Sequence, residues 1–183
     1  MLKEALDDYS KAIEIKPSNG EGYNIRGLTY SKLGMSKEAL SDFSKAIETN
    51  PNSANYYNNR GLTYHAVNML EEALCDYNKA IEIDPRNGSY YSNRGLTYKA
   101  KGMLKEALSD YDKAIEINPS NGNAYSNRVN AYKELGMLKE ALNDCNKAIE
   151  INPNNGNYYN NRGLTYRVAG MLKEALNDFT KAI

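Results

Sequence analysis

Few residues in this 183-residue chain have the type and spacing that chemistry needs. His65 is the only histidine, and it stands where related stretches of the chain carry Ser31, Lys99, Lys133 and Arg167, so it reads as a solvated surface residue. Cys75 and Cys145 fall at different places in the repeating pattern. Neither a structural disulfide nor a metal site of the C-x-x-C kind is expected from them. The glycines are accounted for by helix ends and close packing, and none forms a phosphate-cradling loop. A catalytic residue, a metal and a cofactor are therefore not expected. Amides recur instead. Asn59, Asn93, Asn127 and Asn161 are spaced 34 residues apart, and Ile25 breaks their row. An amide carries a donor and an acceptor together, so a row of them can hold a peptide backbone with little demand on its sequence. Leu28, Leu62, Leu96 and Leu164 follow three residues after that row, and Lys99, Lys133 and Arg167 follow six after it. These rows are the candidate site: Asn59, Asn93, Asn127 and Asn161 with Leu62, Leu96, Leu164, Lys99, Lys133 and Arg167.

The elements that must position these rows follow from the same period. Pro17, Pro51, Pro85, Pro119 and Pro153 are 34 residues apart, and so are Arg26, Arg60, Arg94, Arg128 and Arg162 and the six methionines. With proline at position 32, full repeats span 20–53, 54–87, 88–121 and 122–155. Residues 1–19 hold the second helix of a partial repeat, and 156–183 a nearly complete last one, all in a single array. Each repeat reads as two helices. Leu104, Ala107, Leu108, Tyr111, Ala114 and Ile115 make one apolar stripe at helical period. The preceding helix, from about Tyr91 to Ala100, sets Tyr91, Gly95 and Tyr98 on one face. Gly34, Gly102, Gly136 and Gly170, with Asn68 as the exception, suit the left-handed end of the first helix. Asn19, Ser53, Asn87, Asn121 and Asn155 suit its N-cap. Connections this short force antiparallel neighbours, which gives an all-α solenoid of about eleven helices.

Composition narrows the function classes. Lys plus Arg and Asp plus Glu are 23 each, so the net charge is zero, and neither nucleic acid nor an anionic membrane surface is an expected partner. Leu, Ile, Val and Phe total only 33 residues, and the apolar surface comes instead from alanine and 16 tyrosines. No apolar run approaches the roughly 18 residues of a membrane span. Free thiols suit a reducing compartment, the cytoplasm or nucleus.

The pattern Tyr-x-x-Arg-Gly-x-x-Tyr, then Ala, an aromatic, Ala and Pro, seen in Tyr91, Gly95, Tyr98, Ala107, Tyr111, Ala114 and Pro119, resembles the tetratricopeptide repeat. Tyr takes the place where that family often has Trp, and Arg the place where it usually has Leu. The resemblance implies a right-handed superhelix whose concave groove is lined mainly by first helices, and a scaffold that binds proteins or peptides. The asparagine row resembles the ladder in the repeat domain of O-GlcNAc transferase, which implies peptide capture without transferase activity. A groove of this kind would take an extended, mildly acidic segment. A chaperone-adaptor role is the weakest expectation. Its carboxylate clamp needs basic residues where this chain has Asn55, Asn58, Ser89, Ser92, Asn123 and Ser126.

Three further expectations concern packing. Arg at position 7 should pair with Asp at position 23, Arg26 with Asp42 or with Asp8 of the preceding repeat. Repeat four replaces the packing glycine by Val129, the leucine by Asn130 and the core ring by Cys145, so its packing should shift locally. Residues 1–13 and 171–183 share one repeat phase, which leaves uncapped ends. They suit a fragment of a longer array, or ends covered by a partner or a second copy, and the alternative to groove binding is a structural or assembly element that associates through those ends or the convex face.

Overall fold

The computed structural model describes residues 2–183, with side chains from residue 4 onward. Met1, in phase with the other methionines, lies outside the described residues. Eleven α-helices and no strands are present among the described residues. They are α1 (Leu2–Ile15), α2 (Gly20–Lys32), α3 (Ser36–Thr49), α4 (Ala54–Ala66), α5 (Leu70–Ile83), α6 (Gly88–Ala100), α7 (Leu104–Ile117), α8 (Gly122–Glu134), α9 (Leu138–Ile151), α10 (Gly156–Val168) and α11 (Leu172–Lys181). Two compact units result. The first runs to Arg86 and holds α1 to α5, and the second starts at Asn87 and holds α6 to α11. Within each unit every helix packs on its neighbours in the chain, and first helices of successive repeats also touch, α2 on α4, α6 on α8 and α8 on α10.

The helix ends follow from residue chemistry. Gly34 sits at φ +75° and Asn68 at φ +61°, the left-handed conformation that ends a first helix. In the first repeat Met35 N–H donates to Tyr30 O at 2.9 Å and Gly34 N–H to Ser31 O at 3.0 Å, the paired bonds of a Schellman turn. The Asn19, Asn87, Asn121 and Asn155 side chains accept backbone N–H bonds as N-caps. Ser53 occupies the same place but makes no such bond. With Asn87 as cap, α6 starts at Gly88, nearly a turn before Tyr91. Second helices stop before the residue preceding proline. There Asn50, Asp84, Asn118 and Asn152 accept from the backbone two residues on, forming Asx turns.

The core is built from small residues on one helix and rings on the next. Tyr111, Ala107 and Ala131 are fully buried together. A Cβ on Gly95 would fall 2.8 Å from Tyr111 Cε1, so only glycine admits the ring there. Repeat four solves the same space differently. Val129, Ala141 and Cys145 form one buried cluster with Tyr132 against it, so the added valine volume meets the lost ring.

The arginines tie the repeats together. Arg26 pairs with Asp42 of its own repeat, Nε to Oδ2 at 2.7 Å and Nη2 to Oδ1 at 2.8 Å, rather than with Asp8. The same two-bond fork joins Arg60 to Asp76, Arg94 to Asp110, Arg128 to Asp144 and Arg162 to Asp178. The third donor reaches the preceding repeat. Arg26 meets Ser10 and Arg60 meets Ser44 in the first unit, while Arg128 meets Asp112 and Arg162 meets Asn146 in the second. Each guanidinium also lies near two tyrosine rings, as Arg128 does at 5.7 Å from Tyr125 and 5.5 Å from Tyr132.

Candidate functional site

The candidate rows lie on first helices, and each unit presents its own portion. In the first unit Asn59 is half-buried on α4, and its Nδ2 donates to Asn24 Oδ1 of α2 at 2.9 Å. The row is therefore tied laterally to position 5 of the preceding repeat, a bond that spacing alone did not reveal. Leu62, one turn further along, is 43% exposed and Leu28 on α2 is 37% exposed, so both offer apolar contact. His65 is half-buried near the end of α4, and burial pushes its imidazole below the usual histidine range.

In the second unit Asn93, Asn127 and Asn161 are half-buried on α6, α8 and α10. Asn161 donates to Ser126 Oγ at 2.8 Å, the counterpart of the bond made by Asn59. Asn93 and Asn127 line a cleft of about 370 Å³ together with Ser89, Ser92, Asn121, Asn123 and Ser126. Every lining side chain is a neutral hydroxyl or amide.

A turn and a half further along the same helices, Lys99, Lys133 and Arg167 come together around a depression of about 390 Å³, with Asn130, Glu134, Leu164 and Val168. Lys99 Nζ is paired with Glu134 Oε1 at 3.2 Å. Lys133 is half-buried, and desolvation pushes its ammonium below the usual lysine range. Arg167 is exposed. The depression thus holds three cations against one carboxylate, with apolar surface from Leu164 and Val168. Leu96 behaves differently from Leu164, because its side chain packs on Ala107, Tyr111 and Ala131.

Two features, one on this face and one behind it on the second helices, escaped sequence reasoning. Tyrosine at position 3 donates to position 2 of the preceding repeat, Tyr56 to Glu21 Oε2 at 3.2 Å and Tyr158 to Asn123 Oδ1 at 2.8 Å. Acceptors also fill position 25 of every repeat (Ser10, Ser44, Asn78, Asp112, Asn146 and Thr180), a column that could have been read as the partner of arginine's third donor.

Other chemistry is sparse. Among the described residues no group of three His, Cys, Asp or Glu side chains could hold a metal ion, and no helix is long and apolar enough to cross a membrane. Cys75 is exposed and Cys145 buried, both as free thiols. Burial pushes the Cys145 thiol up to about 11, with its Sγ 4.0 Å from Thr165 Oγ1.

Comparison with known proteins gives one family. A tetratricopeptide repeat model matches residues 20–53, 89–121 and 122–155, a TPR repeat model matches 67–102, and another tetratricopeptide repeat model matches 43–74 and 145–177. No curated protein matches the chain. Among solved structures, YrrB, described as a TPR protein with an unusual peptide-binding site, is similar at 27% identity and TM-score 0.70, over 96% of this chain and 90% of that one. A tetratricopeptide repeat protein from Parabacteroides merdae is similar at 25% identity and TM-score 0.80, over 99% of this chain and 71% of that one. MamA is similar at 24% identity and TM-score 0.74, over 85% of this chain and 91% of that one, a likeness of fold.

Proposed function

The chain belongs to the tetratricopeptide repeat family, and from that footing we propose that it is a non-catalytic scaffold whose first helices hold an extended, mildly acidic peptide. Its array of helix pairs makes it a protein-interaction module. The observation that carries the finer reading is the asparagine row. Several of the other asparagines have backbone duties, as N-caps such as Asn87 and Asn121 or in Asx turns such as Asn118. Asn59, Asn93, Asn127 and Asn161 cap nothing and recur half-buried in the middle of helices. Asn59 and Asn161 spend one donor on the preceding repeat, and the remaining donor and acceptor of each row amide support a run of peptide bonds laid across the helices. The cations of Lys99, Lys133 and Arg167 supply the preference for acidic residues, and Leu62 and Leu164 supply apolar contacts. The free thiols support a reducing compartment such as the cytoplasm as the setting. The test is a comparative pull-down with the wild type and a variant carrying Asn59, Asn93, Asn127 and Asn161 as alanine, with helicity measured in the same preparations. Partners lost from a variant of unchanged helicity support the reading. Partners retained in full contradict it.

A second reading, assembly through an exposed apolar face, draws on α10 and α11. Val168 is 62%, Leu172 66% and Leu176 69% exposed there, while Leu108 at the matching place on α7 is half-buried against the core. Sedimentation at rising concentration tests it. Self-association abolished by Leu176→Glu supports assembly, and a monomer at every concentration contradicts it.

A further inference from the structure

Repeat four departs from the others at one place that its core does not explain. Asn130 stands on α8 where the other first helices carry Leu28, Leu62, Leu96 and Leu164. Val129 and Cys145 exchange volume inside the core, whereas Asn130 lines the depression of about 390 Å³ that also holds Lys99, Lys133 and Arg167. Its own helix makes little use of the amide. Nδ2 donates to Ser126 O at 3.4 Å, the one hydrogen bond of that side chain among the described residues. Two of the cations are served no better. Lys99 is matched by Glu134, but Lys133 and Arg167 have neither a hydrogen bond nor an ion pair among the described residues. Lys133 is half-buried, and desolvation pushes its ammonium below the usual lysine range. The like charges of Lys99 on α6 and Arg167 on α10 act in the same direction, against Cys145 on α9 and Glu134 on α8.

Two unmatched positive charges in one depression select the charge of the ligand. A lone carboxylate brings one negative charge on two oxygens and leaves a half-buried cation without a partner. A phosphate monoester brings close to two charges at pH 7 on three oxygens. A phosphate diester, as in nucleic acid, brings one charge. Resting on the reading that these cations face the ligand, and independently of the asparagine row, we propose that the depression is a site for a phosphate monoester dianion. The group is carried either on a phosphorylated side chain of a bound segment or on a small phosphorylated molecule. Arg167 supplies paired N–H donors to two of its oxygens, Lys133 an ammonium, and Asn130 Nδ2 a neutral donor. A leucine at 130 would offer those oxygens nothing. Leu164 and Val168 on α10 give apolar surface to the carbon that bears the ester.

The experiment is titration of the isotope-labelled full chain at fixed ionic strength, followed by NMR. The probes are acetyl-Ala-Xaa-Ala-amide with phosphoserine or Glu as Xaa, the same peptide with two successive Glu residues, methyl phosphate and dimethyl phosphate. The phosphoserine peptide should give saturable shifts at the side chains of Asn130, Lys133 and Arg167. It should bind about ten-fold more tightly than either Glu peptide. Its affinity should fall about ten-fold from about pH 7 to about pH 5, as the ester takes up its second proton near about pH 6. Lys99, Lys133, Arg167 and the Cys145 thiol stay protonated throughout that range. Lys133→Gln and Arg167→Gln should each weaken binding about ten-fold. Asn130→Leu should weaken it about five-fold, the loss of one hydrogen bond. Because it restores the leucine of the other repeats, its midpoint of thermal unfolding should be unchanged or raised; an asparagine that serves the fold alone would lower it and leave binding intact. Tighter binding of the phosphoserine peptide than of methyl phosphate assigns the group to a bound segment, and equal binding assigns it to a small molecule. Two Glu residues binding as tightly as phosphoserine, dimethyl phosphate binding as tightly as methyl phosphate, or undiminished binding by Asn130→Leu and Lys133→Gln overturns the phosphate site. The first of these leaves the acidic-peptide reading standing, whereas no shift at Lys99, Lys133 or Arg167 with any probe overturns both.

Discussion

Tyr111 and Phe43 occupy the same place in their repeats and differ by one hydroxyl. That hydroxyl, Tyr111 Oη, is buried without a hydrogen bond, and burial pushes its ionisation far above the usual phenol range. Phe43 fills the equivalent space at 0% exposure with no polar atom to satisfy. Tyr111→Phe should therefore raise stability by about 1 kcal/mol, checked by denaturant unfolding, whereas a loss would mean the hydroxyl has a partner in solution. The arginines give the opposite sign. The Asp144 side chain is 2% exposed and takes two bonds from Arg128, whose side chain is 15% exposed, so Asp144→Asn leaves a desolvated guanidinium with only the exposed Asp112 as counter-charge. A cost of about 2–4 kcal/mol is expected. Asp112, the other carboxylate on Arg128, is 58% exposed, and Asp112→Asn should cost less than about 1 kcal/mol. Equal losses at the two positions would contradict the assignment of Asp144 as the structural partner. The sequence made the Arg–Asp pairing legible, because both columns recur in each repeat where they can be compared. It left open which repeat supplies the partner. That depends on how far one helix pair is offset from the next, a tertiary quantity with no local signature.

At the scale of elements, helix ends were legible wherever one residue carries the geometry. Gly34 and Asn68 mark the ends of α2 and α4, and proline marks the stop of α1, α3, α5, α7 and α9. Ser53 shows the limit. Its type suits a cap, but the bond depends on a rotamer that sequence does not set. Repeat four was legible as a departure, and the structure gives its physics: Val129, at 0% exposure, takes up space that a ring fills elsewhere, and Cys145 is the small partner that admits it. The two positions should be strongly coupled. Cys145→Tyr alone overpacks the site and should cost about 1–3 kcal/mol. Val129→Gly alone leaves a cavity and should cost a similar amount or more. The double variant restores the glycine-and-ring pair of the other repeats and should recover most of both losses. Additive losses in a double-mutant cycle would show that the two side chains do not share one space. The lateral bonds of Tyr56, Tyr158, Asn59 and Asn161 were not legible. A position-3 tyrosine reads equally well as core, and its reach toward position 2 of the preceding repeat appears only once the helices are stacked.

Across the whole molecule the charges cancel, yet their placement does not. Lys99, Lys133 and Arg167 share one depression in the second unit with Glu134 as the carboxylate among them. Burial favours the neutral amine of Lys133, so its folded pKa is lowered and its charge is lost at a lower pH than that of an ordinary lysine near about 10.4. Affinity for an acidic peptide should therefore fall as pH rises toward the range in which an exposed lysine titrates, and before that range is reached. Lys133→Arg should flatten that fall, and a wild-type affinity constant over the range would remove Lys133 from the site. The central claim is that the in-phase asparagines hold the peptide. Its most direct measurement is the dissociation constant of a peptide selected from a random display library on the wild type. That constant is then taken on two quadruple variants. One changes Asn59, Asn93, Asn127 and Asn161 to alanine. The other changes Asn52, Asn143, Asn154 and Asn177, four exposed asparagines outside the row. At about 1 kcal/mol for each row asparagine, the first variant should bind roughly a thousandfold more weakly at unchanged helicity, and the second should bind as the wild type does. Equal affinity for all three proteins would contradict the account, because asparagine would then be a matter of composition and the peptide would be held elsewhere.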